Sequence, residues 1–299
     1  MALFKIVSCE TNGEIARIMA DCFHEPIDSA NFFIKNKSDE SLCYTCSNKN
    51  GVISILHSLP YKLKLENNLF KCSYLYGACT APKYRKKGYM SKLINFFEIQ
   101  SKLNGSDFSV LVPDNKHLEN YYNKLGYVNF FKIKEINLNK EQFLELCHFE
   151  EKIQNLQNKN FYKNMEKLRL DIYNNISNIL YTSQDIKYAA NLYKIFGGKI
   201  VSCLGGYGIC EPLDMHTLEI KDFTCKNEFI PDLLGKIYID FPNYENFKIK
   251  TNPNNTFFKE NTKTYFWGMI KPLTHKGNET LKNFYITKKH DAYLGIALD

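Results

Sequence analysis

Between Tyr74 and Leu93 the chain reads Tyr-Leu-Tyr-Gly-Ala-Cys-Thr-Ala-Pro-Lys-Tyr-Arg-Lys-Lys-Gly-Tyr-Met-Ser-Lys-Leu, an apolar strand that breaks into a basic turn and runs into a helix. That order suits an anion. The strand brings the backbone to a fixed point, Gly88 lets it approach a ligand closely, and the unpaired N–H groups of a helix start favour phosphate there. Lys83, Arg85, Lys86, Lys87 and Lys92 form the local concentration of basic charge, which fits a small polyphosphate better than a nucleic acid. Read alone, the segment is equally a solvated loop that starts a helix.

The elements around the turn follow from periodicity and turn signals. Leu3–Ser8 reads as a strand and Gly13–Phe23 as an amphipathic helix with Ile15, Ile18, Met19 and Cys22 on one side, followed by a helical segment over Ala30–Asn36. Ser41–Ser47, Gly51–Leu65 and Leu69–Thr80 are strand-like, and the turn signals between them predict consecutive hairpins and an antiparallel sheet. A helix over Gly88–Leu103, with Leu93, Phe96, Phe97 and Ile99 toward a core, leads to a strand at Phe108–Val112, which implies a parallel crossover. A helix over His117–Leu125 ends at Gly126 in the position of a C-cap, and Tyr127–Ile136 returns as strand.

The first unit thus closes near Asn137, and Asn139–Ser177 is a polar helical stretch joining it to a second. From Tyr181 the earlier order returns: a helix over Asp185–Phe196, a hairpin of Lys199–Cys203 and Tyr207–Glu211, a strand His216–Cys225, a helix Glu228–Tyr238 and a strand Phe247–Thr251. The counterpart of the basic turn, Cys225-Lys226-Asn227-Glu228-Phe229-Ile230-Pro231, has no glycine and puts a carboxylate where phosphate would sit. The second unit is therefore not expected to bind that anion. Gly197-Gly198 and Gly205-Gly206 are each followed by a strand, not a helix start.

The 299 residues, 44% apolar, suffice for two domains, and the chain contains no long apolar run or leader-like N-terminus, so a soluble, unprocessed protein with no membrane partner is expected. Its ten cysteines form no disulfide framework, which fits a reducing, cytoplasmic location. Cys43 and Cys46 have metal-like spacing, but on a strand those positions face opposite ways, and no metal is expected. The net charge of +7 arises from interspersed charges, and no helix-turn-helix or aromatic platform accompanies the basic cluster, so no nucleic-acid partner is expected.

Arg85-Lys86-Lys87-Gly88-Tyr89-Met90 resembles the acyl-CoA signature of GNAT superfamily acetyltransferases, Q/R-x-x-G-x-G/A, with Met90 in place of the usual small residue. Asn115, followed by Tyr122-Asn123-Lys124-Leu125-Gly126-Tyr127, resembles the family's second signature. The enhanced-intracellular-survival type accepts a larger apolar residue at the Met90 position and carries a second, degenerate GNAT-like half. The resemblance covers the first half well and the second by layout. It implies an α/β fold of mixed α+β type: a mixed, mostly antiparallel sheet flanked by helices, with an acetyl-CoA-binding catalytic domain over 1–137. A helical connector and a degenerate GNAT-like domain follow over 138–299.

The resemblance further implies acetyl-CoA as co-substrate, its pantetheine arm lying between Ala78-Cys79-Thr80 and Phe108–Val112 and its diphosphate held by amides of Lys86 to Ser91. Asp114 and Asn115 would border the thioester. The acetyl group would pass directly to an amine of a small molecule or peptide, with Tyr122 giving a proton to the CoA thiolate and amides along Ala78–Thr80 stabilising the oxyanion. Candidates for the base are His24, Glu25, His57, a water chain and, by analogy with the enhanced-intracellular-survival type, the terminal carboxylate of Asp299. The alternative is an acyl-CoA-binding regulatory or scaffold protein without turnover. Homo-oligomerisation stays open, with the second half shaping either the substrate pocket or a subunit contact.

Overall fold

The protein is described by a computed structural model over residues 2–7, 13–37, 39–149, 159–287 and 291–296. The first half runs β1 (Leu3–Val7), α1 (Gly13–Phe23), α2 (Ile27–Lys37), β2 (Leu42–Asn48), β3 (Gly51–Leu65), β4 (Asn68–Thr80), α3 (Tyr89–Leu103), β5 (Phe108–Leu111), α4 (Lys116–Lys124) and β6 (Val128–Asn139). The second runs α5 (Lys140–Glu145), α6 (Phe161–Ile172), β7 (Asn178–Leu180), α7 (Ser183–Ile195), β8 (Lys199–Cys203), β9 (Gly206–Pro212), β10 (Thr217–Cys225), α8 (Ile230–Asp240), β11 (Asn246–Thr251), β12 (Thr262–Pro272) and α9 (His275–Thr287).

All twelve strands join one sheet in the order β1-β2-β3-β4-β5-β12-β6-β11-β10-β9-β8, with β7 paired to β3. Both parallel strand pairs among the described residues, β4 with β5 and β10 with β11, span a helical crossover, as the sequence predicts for the first of them. The centre of the sheet is interleaved. β12, the last of the described strands in sequence, lies antiparallel between β5 and β6, while β6 lies antiparallel between β12 and β11. Each half therefore takes one of its inner strands from the other.

Nothing in the sequence analysis marked β12 or α9. The signal in β12 was the β-rich run Thr264-Tyr265-Phe266-Trp267-Gly268-Met269-Ile270, interrupted at Gly268. There the register against β6 shifts, and an added Cβ would come within 2.9 Å of Leu294 Cδ1 and 3.2 Å of Phe131 Cδ2. A second correction concerns α3: its buried positions are Leu93, Ile94 and Phe97, whereas Ile99 is 49% exposed, because a face three and four residues apart cannot also include it.

Two apolar layers flank the first half. Ile15, Met19 and Phe33 of α1 and α2 pack on Ile55, Leu59 and Cys79, and that cluster continues under α7 to Tyr188 and Tyr193. On the opposite face Leu93, Ile94 and Phe97 of α3 pack on Tyr44, Cys46, Leu56 and Tyr122. Cys43 and Cys46 fall in these two different layers, so they point to opposite faces of β2. Residues 291–296 insert beside the sheet: the Lys132 N–H donates to the Ala292 carbonyl at 2.8 Å, and the Tyr293 N–H to the Ser177 carbonyl at 2.8 Å.

Candidate functional site

β4 and β5 pair only from Cys72–Phe108 to Tyr74–Val110. Beyond Tyr74 no strand among the described residues pairs with the β5-facing edge of β4, and the two strands part. The parting begins next to a bulge, where the register against β3 slips between Ile55–Cys79 and His57–Tyr76 and Gly77 takes φ +61°. A bulge of this kind bends and twists the strand that carries it, which swings Ala78, Cys79 and Thr80 away from β5. The open edge therefore presents the backbone of the residues named from the sequence.

A single 3-10 turn over Pro82–Tyr84 leads from β4 to the basic turn. Lys86 has φ +61° and Gly88, the residue before α3, has φ +77°; an added Cβ at Gly88 would meet nothing within 4 Å. Glycine is thus required there by backbone conformation rather than by crowding. Among the described residues, the N–H groups of Lys86, Lys87, Gly88, Tyr89, Met90 and Ser91 have no backbone or side-chain acceptor, the first intrahelical link being Lys92 N–H to the Gly88 carbonyl at 3.2 Å. Six free amides beside four lysines and an arginine make an anion cradle. The Arg85 side chain is turned back, its Nε donating to the Thr80 carbonyl at 3.1 Å, which fixes the turn to the strand end.

α4 closes the other side. Asn115 caps it, its Oδ1 accepting from the Leu118 N–H at 3.1 Å, and its Nδ2 donates to Asp114 Oδ2 at 2.9 Å, so the amide of Asn115 is committed to shaping this corner. Tyr121 reaches back to α3, with its hydroxyl 3.0 Å from Ser91 Oγ. Tyr122 is 7% exposed, edge-on to Tyr121 and Tyr127, and sits in the layer against which Ala78, Tyr89 and Met90 pack. Met90 is accordingly a packing residue of that layer. The Tyr122 hydroxyl has no hydrogen-bond partner among the described residues, and burial pushes its pKa well above that of an ordinary phenol. It stays protonated at neutral pH.

The candidate bases are placed differently. His24 is exposed with φ +56°, just past α1, and Glu25 is exposed with its Oε2 accepting from Ser29 Oγ at 2.7 Å. His57 is fully buried beneath the bulge, edge-on to Phe33 at 4.7 Å, and among the described residues neither ring nitrogen has a partner. An added Cβ on Gly77 would lie 3.3 Å from its Nδ1. No local pattern distinguished His57 from any other strand histidine. Asp299 lies outside the described residues.

The second half repeats the layout with its notch filled. β10 and β11 pair from Thr217–Asn246 to Ile220–Ile249, and past that point Thr251 Oγ1 donates to the Phe223 carbonyl at 2.8 Å across the gap. The side chains of the strand face a buried ion pair, Arg169 with Asp222 at 2.7 Å, to which Tyr207 and Thr224 are also bonded. At the turn, the ring of Phe229 occupies the space where a Cβ on Gly205 would stand. A cavity of about 620 Å³ does open elsewhere, lined by Tyr44, Ser58, Ser73, Ser101, Glu166 and Asp185 among others. Its Ser73 lies seven residues along β4 from Thr80, roughly 23 Å of strand, so it is separate from the basic turn.

Residues 7–129 match the family model described as an acetyltransferase (GNAT) domain. A comparison with curated proteins finds no match. Among solved structures the chain is similar to a conserved protein from Enterococcus faecalis V583, with 14% identity and a TM-score of 0.75 over 91% of this chain and 73% of that one. It is similar to a GCN5-related N-acetyltransferase from Kribbella flavida, with 15% identity and a TM-score of 0.70 over 90% and 71%. Eis1 from Mycobacterium abscessus shares 10% identity, with a TM-score of 0.63 over 91% and 74%. The likeness in fold thus takes in both halves, and the family model matches within the first.

Proposed function

We propose that the chain is an acetyl-CoA-dependent N-acetyltransferase with one active site, formed by β4, the turn before α3, and α4. What supports this reading is an unpaired strand edge that leads to six free amides, with Tyr122, whose hydroxyl has no partner among the described residues, in the layer against which Ala78, Tyr89 and Met90 pack. The co-substrate supplies an activated acetyl group as a thioester. The amides of Lys86 to Ser91 hold its diphosphate, and the edge from Ala78 to Thr80 binds its pantetheine arm as an added strand would. Amides on that edge face the thioester oxygen and stabilise negative charge as it develops. Tyr122 then donates its proton to the departing thiolate.

The acceptor is an amine, of a small molecule or a peptide, approaching from the α1 and α2 side. His57 supports this direction as the base, since it sits under the bulge on that face with both nitrogens free of other bonds. The filled notch of the second half supports a single site per chain. The direct test follows thiol release from acetyl-CoA with a panel of primary amines, alongside calorimetry with coenzyme A. Binding with release for at least one amine is expected. Calorimetry without heat would overturn the site, whereas binding without release for any amine would leave a CoA-binding scaffold.

A further inference from the structure

Two cysteines meet where α1 ends against the open edge. Cys22, in the last turn of α1, is half-buried, and its Sγ donates to the Thr80 carbonyl at 3.4 Å, the same oxygen that accepts from Arg85 Nε at 3.1 Å. Cys79, one residue before Thr80, is 5% exposed and points into the layer under α1, its Sγ 3.7 Å from the Ile18 carbonyl. Each thiol bonds to a backbone carbonyl of the other's element, Cys22 of α1 to β4 and Cys79 of β4 to α1. The accessible thiol thus lies beside a guanidinium and the sealed one stands directly behind it.

We propose that Cys22 and Cys79 are a reactive thiol pair, in which Cys22 attacks low-molecular-weight disulfides and Cys79 resolves the product into a bridge between α1 and β4. In the first step the Cys22 thiolate bonds to one sulfur of the small disulfide, the old S–S bond breaks, and one small thiolate leaves. In the second, Cys79 loses its proton to solvent and its sulfur attacks Cys22, the bond from Cys22 to the small sulfur breaks, and the second small thiol leaves as a thiolate that takes a proton from solvent. The two protein thiols are oxidised and the disulfide is reduced to two thiols.

The electrostatics favour Cys22 as the attacking group. The neighbouring Cys79 thiol is the main cause that holds the Cys22 thiol below its usual value, and Arg85 adds to it, against burial and the charge of Asp21. The C-terminal end of α1 also works against a thiolate, which makes Arg85 the necessary counter-charge. Cys79 is pushed the other way by the neighbouring Cys22 thiol, by burial, and by the charges of Cys22 and Cys43, with Arg85 opposing. One thiol ionised and the other protonated is the arrangement that separates an attacking from a resolving cysteine.

The test treats the full chain with oxidised glutathione at pH 7 and reads intact mass and peptide mass. Wild type should end as a Cys22–Cys79 disulfide, Cys79→Ser should stop at a glutathione adduct on Cys22, and Cys22→Ser should react at least about ten-fold more slowly at this site. Adducts that form as fast in Cys22→Ser, or a wild-type adduct that never resolves, would overturn the pair. That the bridge obstructs the acyl-CoA edge rests on the proposed function and has its own readout: oxidised wild type should bind coenzyme A at least ten-fold more weakly than oxidised Cys22→Ser. Reduced protein that binds no coenzyme A would tell against the site and leave the thiol result standing.

Discussion

Lys271, on β12 of the second half, holds Glu98 of α3 in a 2.6 Å ion pair and donates a 2.7 Å hydrogen bond to the Leu125 carbonyl at the end of α4. The same ammonium lies 5.6 Å from the centre of the Tyr127 ring. Both helices that frame the proposed cofactor cleft are thereby fastened by one side chain from the far part of the sequence. Its charge is mostly shielded from water, with Lys271 24% and Glu98 11% exposed, so the pair is worth more than a surface salt bridge.

Replacing Lys271 with Ala is expected to destabilise the protein by about 1–3 kcal/mol, because it leaves the Glu98 carboxylate and the Leu125 carbonyl without their donor. Urea denaturation measures the loss. A double-mutant cycle with Glu98→Ala should return a coupling energy above about 0.5 kcal/mol, and strict additivity would show that the pair contributes nothing.

Gly88→Ala meets no clash but forces a Cβ onto φ +77°, a cost of about 1–2 kcal/mol that the turn can escape only by moving its amides. Affinity for coenzyme A should fall about ten-fold or more in calorimetry. Equal affinity in the variant would remove the turn from the binding site.

Tyr122→Phe should leave stability within about 0.5 kcal/mol, since the hydroxyl has no partner to lose. Turnover should drop about a hundred-fold with little change in KM for acetyl-CoA. A variant that turns over as fast as wild type would assign the proton to another group.

Phe229→Ala opens the space above Gly205 and should destabilise the chain by about 2–4 kcal/mol. The second half still lacks a positive-φ glycine ahead of α8, and Thr251 still spans its gap, so the stoichiometry should remain one coenzyme A per chain. Two equivalents by calorimetry would contradict a single site.

Glu219 gives the stability its acid limb. The carboxylate is 3% exposed, and burial alone would raise its pKa, but Lys250 at 2.9 Å, with Lys221 and Lys248 behind it, outweighs burial and holds it below the usual carboxylate value. A depressed folded-state pKa contributes stability that is complete above the unfolded value, near 4.3, and lost as pH falls through the folded one. Glu219→Gln should therefore be less stable at pH 7 and show a flatter decline below about pH 4.5 in denaturant titrations.

Much of the first half was legible because its signals are local. The hairpins from Leu42 to Thr80, the crossover helix and the glycine at its start are each encoded within a few residues of where they act, and the anion cradle follows from them. The strand order at the middle of the sheet is not local information. Pairing of Met269 with Leu111 and of Phe266 with Lys132 joins segments more than a hundred residues apart, and no window of sequence contains both partners. The same holds for Phe229 over Gly205 and for the isolation of His57, which exist only once the layers are packed.

The interleaved centre of the sheet also sets an order on biosynthesis. β5 and β6 emerge from the ribosome early, but the strand that separates them ends at Pro272, and translation at about 5–20 residues per second takes roughly ten seconds to supply it. Throughout that interval the nascent chain carries two apolar strand edges with nothing between them, the kind of surface chaperones engage. The two parts of the sheet can close on one another only once Thr262–Pro272 has been made.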